Sequence, residues 1–470
     1  MEVESKNLII KHNKNNHKVS TSRTTVIGLK DELQVLTNVL VPRQKLLFKG
    51  KVLGDEESLL NIPENSTLML LGNPEKDLIV STSSSKILFK EDLTKEDMLK
   101  IMKEKGEEYM YGLKNLGNTC YFNALIQCCG RVEPLRKALI ELSKTSNNNS
   151  NLEKLFCQEL GKVYESLENT TQPIVPSKLV QQLRILNPAF AENENGYYKQ
   201  QDADECLGLM INIFKNSLKN NSDGEKFSDN LAEELFGISL DISMTNVEDN
   251  TEIKQSKDTT FKLVCYIDNN TTELVTGLKN SLAENVNLYS DKLCRSTVFV
   301  KKQLISRLPT YLNVQFMRFF WKQAVADMPD SKAGKAKILK SVMFSRIIDV
   351  YDLCSPEVQE VLKLGRSIEN KMLKEDVNYR TDLAYVKKGE NMIPTGRYQL
   401  VAVVTHQGRS SESGHYIGWT HQKDDKWTKF DDDTITPCKT QEILDLKGGG
   451  DWHMAYICIY QSLEVPFQEV

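Results

Sequence analysis

The chain has 470 residues, 40% hydrophobic and 26% charged, with a formal net charge of −4 and a pI near 6.0. That length exceeds what one hydrophobic core serves and calls for two or three domains, while the charge gives no electrostatic case for nucleic acid or an anionic membrane as the main partner. Ten cysteines are scattered without a CxxC, which removes the usual zinc and dithiol signatures and makes reduced thiols the default. No phosphate-cradle motif occurs. No apolar run approaches the ~18 residues of a membrane span, and the charged start around Leu8-Ile9-Ile10 does not read as a signal peptide, so a soluble intracellular protein is expected.

Residues 1–75 read as a unit of their own. Leu8-Ile9-Ile10 and the stretch around Val19 are two strands about a polar turn at Asn13 to Asn16, and Val26, Ile27, Leu33, Leu36 and Val39 fall at helical spacing. Leu46-Leu47-Phe48, Val52-Leu53 and Leu68-Met69-Leu70-Leu71 are further short strands, and this order in this length is that of a β-grasp. Residues 76–106 are charged and Ser-rich, a linker with one short amphipathic helix. The second domain, 107–470, is predicted to be helical first, clearest over 152–167, 177–186 and 202–218. Strands follow over 235–244, 260–267, 311–320, 399–406, 414–420, 427–430 and 454–460. Polar inserts at 147–151, 245–257 and 322–337 read as loops, the second of them a hairpin end.

The densest signal is GLKNLGNTCYFNALIQ, residues 112–127. Gly117, Asn118 and Thr119 are turn or N-cap types, and Ala124, Leu125, Cys128 and Cys129 recur at helical spacing, which puts Cys120 at a turn-to-helix junction. Unpaired N–H groups and the positive end of the helix dipole there favour the thiolate, the nucleophilic form. A reactive thiol needs a base, and the base needs a third group to orient it. Of the six histidines, 12 and 17 fall in the N-terminal unit; His415 opens the strand GHYIGWT after the loop GRSSESG, and WTKFDDD returns from it with acids at its end. A turn centred on Lys423 sets His415 directly opposite Asp431, close enough for a carboxylate to bond the imidazole. Half a residue of shift selects Asp432 instead. Asn115, with the backbone N–H of Cys120, is a candidate oxyanion donor. Taken singly, each has a plainer reading: Cys120 a buried small hydrophobe, His415 a strand-end histidine, Asn115 a turn residue.

Taken together, these segments resemble the cysteine and histidine boxes of the ubiquitin-specific proteases, papain-like thiol hydrolases that cleave after the C-terminal glycine of ubiquitin. QQDADE (Gln200 to Glu205) and LPTYLNVQFMRFFWK (Leu308 to Lys322) resemble two further boxes, in family order. The likeness covers about residues 107–465 and is greatest to the proteasome-associated branch, in which a ubiquitin-like domain precedes one catalytic domain. It implies an α+β chain: a β-grasp ubiquitin-like domain, then a papain-like protease domain of fingers, palm and thumb. By position, Cys120 matches the nucleophile, His415 the base, Asp431 the orienting acid, Asp432 a second acid and Asn115 the oxyanion residue. Gln201 and Asp202 match residues that contact the substrate's C-terminal tail. A carboxylate at 202 suits an arginine-bearing tail and also reads as a helix N-cap.

The resemblance implies no cofactor. It implies no metal either, since the fingers lack the CxxC zinc ligands of many relatives, and Cys265 and Cys294 are expected in core or strand. Implied partners are ubiquitin, polyubiquitinated proteins and, through residues 1–75, the proteasome regulatory particle, with no nucleic acid and no membrane, in cytoplasm and nucleus. The N-terminal unit ends in Gly72-Asn73 without a Gly-Gly, which suits docking rather than conjugation. Loops at 321–337 and 408–413 match segments that block the cleft of the free enzyme. The alternative reading is a ubiquitin-reading scaffold or shuttle with incidental catalysis.

Overall fold

Alternating burial along the first strands determines the N-terminal unit. In a computed structural model, which describes residues 6–12, 15–37, 39–72, 111–145, 151–170, 172–219, 228–322, 334–375, 392–410 and 413–466, the chain divides into two units, residues 1–93 and 94–470. The first contains β1 (Lys6–His12), β2 (Asn15–Thr21), α1 (Val26–Thr37), β3 (Lys45–Phe48), β4 (Lys51–Val52) and β5 (Thr67–Leu71). Its sheet runs β2-β1-β5-β3-β4, with β1 parallel to β5 and the other pairs antiparallel, which is the β-grasp arrangement. Val26, Leu29 and Leu33 pack on Leu8, Ile10, Leu46, Leu68 and Leu70. Ile27 and Leu36, expected on the inner face of α1, are exposed: the stripe runs through Val26, Leu29 and Leu33, and Lys30 flanks it, buried and paired with Asp55. The helix expected within 76–106 lies outside the described residues.

The second unit begins with helices: α2 (Cys120–Cys129), α3 (Glu133–Ser143), α4 (Leu152–Asn169) and α5 (Ser177–Leu186). A two-strand hairpin follows, β6 (Asn193–Glu194) and β7 (Tyr197–Tyr198), then α6 (Ala203–Ser217). Every residue of α2 is buried, as expected of a helix at the centre of its layer. Asn151 caps α4 and Asp202 caps α6, the latter as its sequence position predicts. Within the segments expected as loops, residues 146–150 and 323–333 lie outside the described residues.

Sheets and their flanking helices make up the rest: α7 (Leu231–Phe236), β8 (Ile238–Asn246), β9 (Ile253–Thr260), β10 (Leu263–Cys265), α8 (Leu274–Ser281), β11 (Ala283–Ser290), β12 (Arg295–Arg307), β13 (Tyr311–Phe316), β14 (Phe319–Lys322), β15 (Gly334–Lys337), β16 (Ile347–Asp349), α9 (Pro356–Glu375), β17 (Met392–Ser410), β18 (Ser413–Lys423), β19 (Lys426–Asp431), β20 (Thr434–Lys439), α10 (Thr440–Leu444) and β21 (Met454–Pro466). The central sheet runs β10-β13-β21-β17-β18-β19-β20, with β16 beside β17, and a separate sheet runs β11-β12-β8-β9. Several expectations are corrected. The polar segment 245–257 is only partly a turn, since β9 begins at Ile253, and β11 and β12 carry no sequence expectation because their Asn, Lys, Glu and Gln positions leave no cleanly apolar face. The strand expected from 235 starts as α7. Among the described helices none is long and apolar enough to cross a membrane.

The strand expected over 311–320 breaks at Met317 and Arg318 for a physical reason. Arg318 is fully buried and donates to the carbonyls of Ala455 (2.7 Å), Ile338 (3.2 Å), Lys340 (3.0 Å) and Lys447 (3.1 Å). Burial lowers its pKa to about 10, and these dipoles stand in for a counter-ion. Arg318→Met should lower stability by about 3 kcal/mol, since the carbonyls lose a charged donor. Urea unfolding measures this; an unchanged midpoint would show that the carbonyls find other donors.

Candidate active site

Cys120 is the first residue of α2, as its turn and helix signals predict, and it is buried. Gly117 and Asn118 take φ values of 86° and 56°, the left-handed region that glycine and asparagine tolerate best. Side chains hold the loop: Asn115 Oδ1 accepts from the backbone N–H of Gly117 (3.0 Å) and Thr119 (3.2 Å), and Asn118 Nδ2 donates to the Tyr198 carbonyl (2.8 Å). α2 lies against β18 at Gly418, where a Cβ would come within 3.0 Å of the Ala124 carbonyl oxygen. That approach brings the thiol to the histidine strand.

The β18–β19 ladder pairs Gly418 with Phe430, Trp419 with Lys429, Thr420 with Thr428 and His421 with Trp427, with an irregularity between His421 and Lys423. The turn is therefore centred one residue later than expected, with Asp424 at φ 54°, and Asp431 does not lie directly opposite His415. The slip of two positions in the pairing preserves the face, so the two meet on the diagonal, His415 Nε2 to Asp431 Oδ1 at 2.6 Å. With Nε2 so engaged, Nδ1 remains for the hydrogen bond with Cys120. His415 is pushed up to about 9, first by that Cys120 bond and then, against burial, by Asp431. Burial also pushes Asp431 up, but hydrogen bonds from His415 and Lys429 outweigh it and leave the carboxyl below its usual range.

Asp432 does not bond His415. At φ 52° it turns back to the Cys120 segment: Oδ2 accepts from Asn115 Nδ2 (2.9 Å) and Oδ1 from Asn123 Nδ2 (2.8 Å). Its carbonyl accepts from Leu113 N–H (2.9 Å), and Asp433 pairs with Lys114. A Cβ at Gly112 would sit 2.3 Å from the Asp432 carbonyl oxygen, which explains the glycine there. Asp202 Oδ1 accepts from the Asp204 N–H (2.8 Å) and the Tyr456 hydroxyl (2.7 Å), and Gln201 is half-buried just before it. Asn123 and Lys429 had no expectation attached, although Asn123 lies one helical turn after Cys120 and so on its face, a legible signal.

His415, Asp431 and Asp432 bring potential metal-ligand atoms within 4.8 Å of one another. Asp431 Oδ1 meets the His415 ring, and the two Asp432 oxygens accept from two amides. Cys265 is buried in β10 as expected, whereas Cys294 sits exposed in the turn between β11 and β12, with φ 49°, contrary to the expectation of core or strand. Of the two segments expected to block the cleft, 408–410 and Ser413 belong to the ends of β17 and β18, with Gly408 at φ 126° and residues 411–412 outside the described ones, and 321–337 is rooted in the β14–β15 ladder. Lys337 on that ladder lies 2.9 Å from His406 Nδ1 and 2.6 Å from its carbonyl oxygen.

A thiol, an imidazole and a carboxylate in this order define a cysteine hydrolase, and the chain belongs to the ubiquitin carboxyl-terminal hydrolase family, whose model matches residues 111–460. The ubiquitin family model matches residues 8–75. The protein is thus a thiol-dependent deubiquitinase carrying a ubiquitin-like domain. It is similar over nearly its full length to ubiquitin carboxyl-terminal hydrolase 6 of Arabidopsis thaliana, 32% identical over 92% of this chain and 93% of the relative. Ubiquitin carboxyl-terminal hydrolase 14 of Caenorhabditis elegans is also 32% identical, over 94% and 90%, and ubiquitin carboxyl-terminal hydrolase 6 of Schizosaccharomyces pombe is 29% identical, over 93% and 94%.

Because the imidazolium persists up to its raised pKa, kcat/KM for a ubiquitin–fluorophore substrate should fall on the alkaline side near pH 9. Asp431→Ala removes a bond that favours the proton and should move that limb to lower pH. A limb that stays in place would exclude Asp431 as the controlling partner.

Proposed function

We propose that the protein hydrolyses the isopeptide bond after the ubiquitin C-terminal glycine, and that it does so at the proteasome, trimming and recycling ubiquitin in cytoplasm and nucleus. The observation that carries the catalytic assignment is the 2.6 Å bond from His415 Nε2–H to Asp431 Oδ1, which leaves Nδ1 for Cys120. The Cys120 thiolate attacks the glycine carbonyl carbon, and the backbone N–H of Cys120 with the second amide hydrogen of Asn115 holds the oxyanion. His415 gives its proton to the departing lysine amine as the C–N bond breaks. It then takes one from the water that opens the thioester. Asp432 acts through Asn115 and Asn123 as an orienting acid. Both bonds to Asp202 use Oδ1, so Oδ2 remains to meet an arginine of the substrate tail beside Gln201. Cys120→Ala should abolish turnover without unfolding the chain; residual turnover at the wild-type rate would overturn the nucleophile.

Docking is supported by the outer face of the N-terminal sheet. Met69 and Leu71 on β5 and Val52 on β4 are exposed, half-buried Leu47 and Ile9 lie beside them, and Lys11, Lys18 and Lys45 sit on the same face. An apolar surface ringed by cations suits an acid-rimmed apolar partner, here the regulatory particle. The loops 321–337 and 408–413 would then cover the cleft in the free enzyme, since His406, held by Lys337, adjoins the residue that pairs with His415. Added proteasome should raise the rate on ubiquitin–fluorophore, and Met69→Glu in the full chain should remove that stimulation while leaving the basal rate. Equal rates with and without proteasome would overturn the regulation, and stimulation that survives Met69→Glu would overturn the docking face.

A further inference from the structure

The hairpin that carries His415 and Asp431 presents a third charged group that the mechanism above does not use. Lys429 precedes Asp431 by two residues on β19, so the two side chains leave the same face of the sheet. Its Nζ lies 3.2 Å from Asp431 Oδ2, the oxygen that does not bond His415. This is not a lysine free in solvent: its side chain is only 29% exposed, and the ammonium stands 5.7 Å from the ring centroid of Trp419, its register partner on β18. The indole is itself fixed, with Nε1 donating to Thr405 Oγ1 at 2.9 Å. That hydroxyl lies 3.3 Å from His453 Nδ1, and the His453 ring stands edge-on to His415 with centroids 6.0 Å apart. The circuit from Asp431 through Lys429, Trp419, Thr405 and His453 returns to His415.

A carboxylate bonded through one oxygen can swing about its terminal torsion, which is broad and nearly two-fold, and exchange the oxygen it presents. A cation on the other oxygen removes that freedom. In Asp431 the two oxygens are divided between one imidazole and one ammonium. We propose that Lys429 is a positioning residue of the hydrolase: it clamps Oδ2 of Asp431 so that Oδ1 stays on His415 Nε2 through attack and release. The proposal rests on the reading of Asp431 as the orienting acid. An ordinary surface ion pair in the same place would touch stability slightly and turnover not at all.

The test is steady-state hydrolysis of ubiquitin–fluorophore by the full-length chain. Lys429→Met keeps a stem on Trp419 and removes the charge; kcat should fall about tenfold with KM within about twofold of wild type, the loss expected when a catalytic group is misplaced. Lys429→Arg, which restores the cation, should recover kcat to within about threefold. In an Asp431→Ala background, Lys429→Met should change kcat by less than about twofold, because the clamp has nothing to hold. Lys429→Gln, read in the same way, serves if the methionine variant misfolds. Wild-type kcat in either charge-removing variant, Lys429→Met or Lys429→Gln, or a loss as large in the Asp431→Ala background, overturns the clamp. The Asp431→Ala enzyme separates the two claims: wild-type kcat there removes the acid's role and the clamp with it, whereas a slow Asp431→Ala enzyme beside a fast Lys429→Met enzyme overturns the clamp alone.

Discussion

Three consecutive carboxylates at the end of one strand tie the two halves of the catalytic unit together. Cys120 comes from a helix and His415 from a sheet, and misplacing a catalytic group by about 1 Å can cost two orders of magnitude in rate. Asp431 bonds His415, Asp432 bonds Asn115 and Asn123 on either side of Cys120, and Asp433 pairs with Lys114. The same backbone accepts from Leu113 N–H beside a glycine that leaves no room for a side chain. Whatever fixes the turn after β19 therefore fixes the distance between thiol and imidazole.

The neighbourhood also controls where positive charge resides. Burial holds His406 down to about 3 and His453 down to about 4, so both are neutral in the range where His415 is protonated. Each ring lies close to the catalytic strand, His453 against His415 itself and His406 against Tyr416. A second imidazolium there would repel that of His415. The same economy appears at Lys337, whose ammonium burial and Arg318 push down to about 7. Of the three imidazoles gathered here, burial leaves the proton to His415.

Much of this was legible in the sequence because it is local. A left-handed Gly-Asn pair before a helical run locates Cys120, and a strand that ends in acids beside a strand that begins with His415 yields the pair even when the turn is misplaced by one residue, since a slip of two in pairing keeps side chains on the same face. The helices with apolar stripes, such as Ser177–Leu186, were legible for the same reason of periodicity. What was hidden depends on contacts distant in sequence. β11 and β12 pair with each other and with β8, and the buried side of β12, which includes Phe299 and Ile305, is interrupted by Lys301 and Gln303, so no clean apolar alternation shows in the sequence. Arg318 breaks a strand by reaching carbonyls as far as Ala455, and Asp432 could be assigned to Asn115 only once residues more than three hundred positions apart were in contact.

The burial of the cysteines has a consequence for chemical labelling. Among the ten, only Cys294 is exposed. Desolvation pushes the Cys129, Cys157, Cys265 and Cys354 thiols up to about 12 and those of Cys128, Cys206 and Cys458 higher still, which leaves almost none of their thiolate at neutral pH. An electrophile that spares protonated sulfur thus finds little to attack at these seven positions. With Cys294 replaced, no exposed cysteine remains, and the background of a thiol-labelling experiment falls to sulfurs that burial keeps protonated.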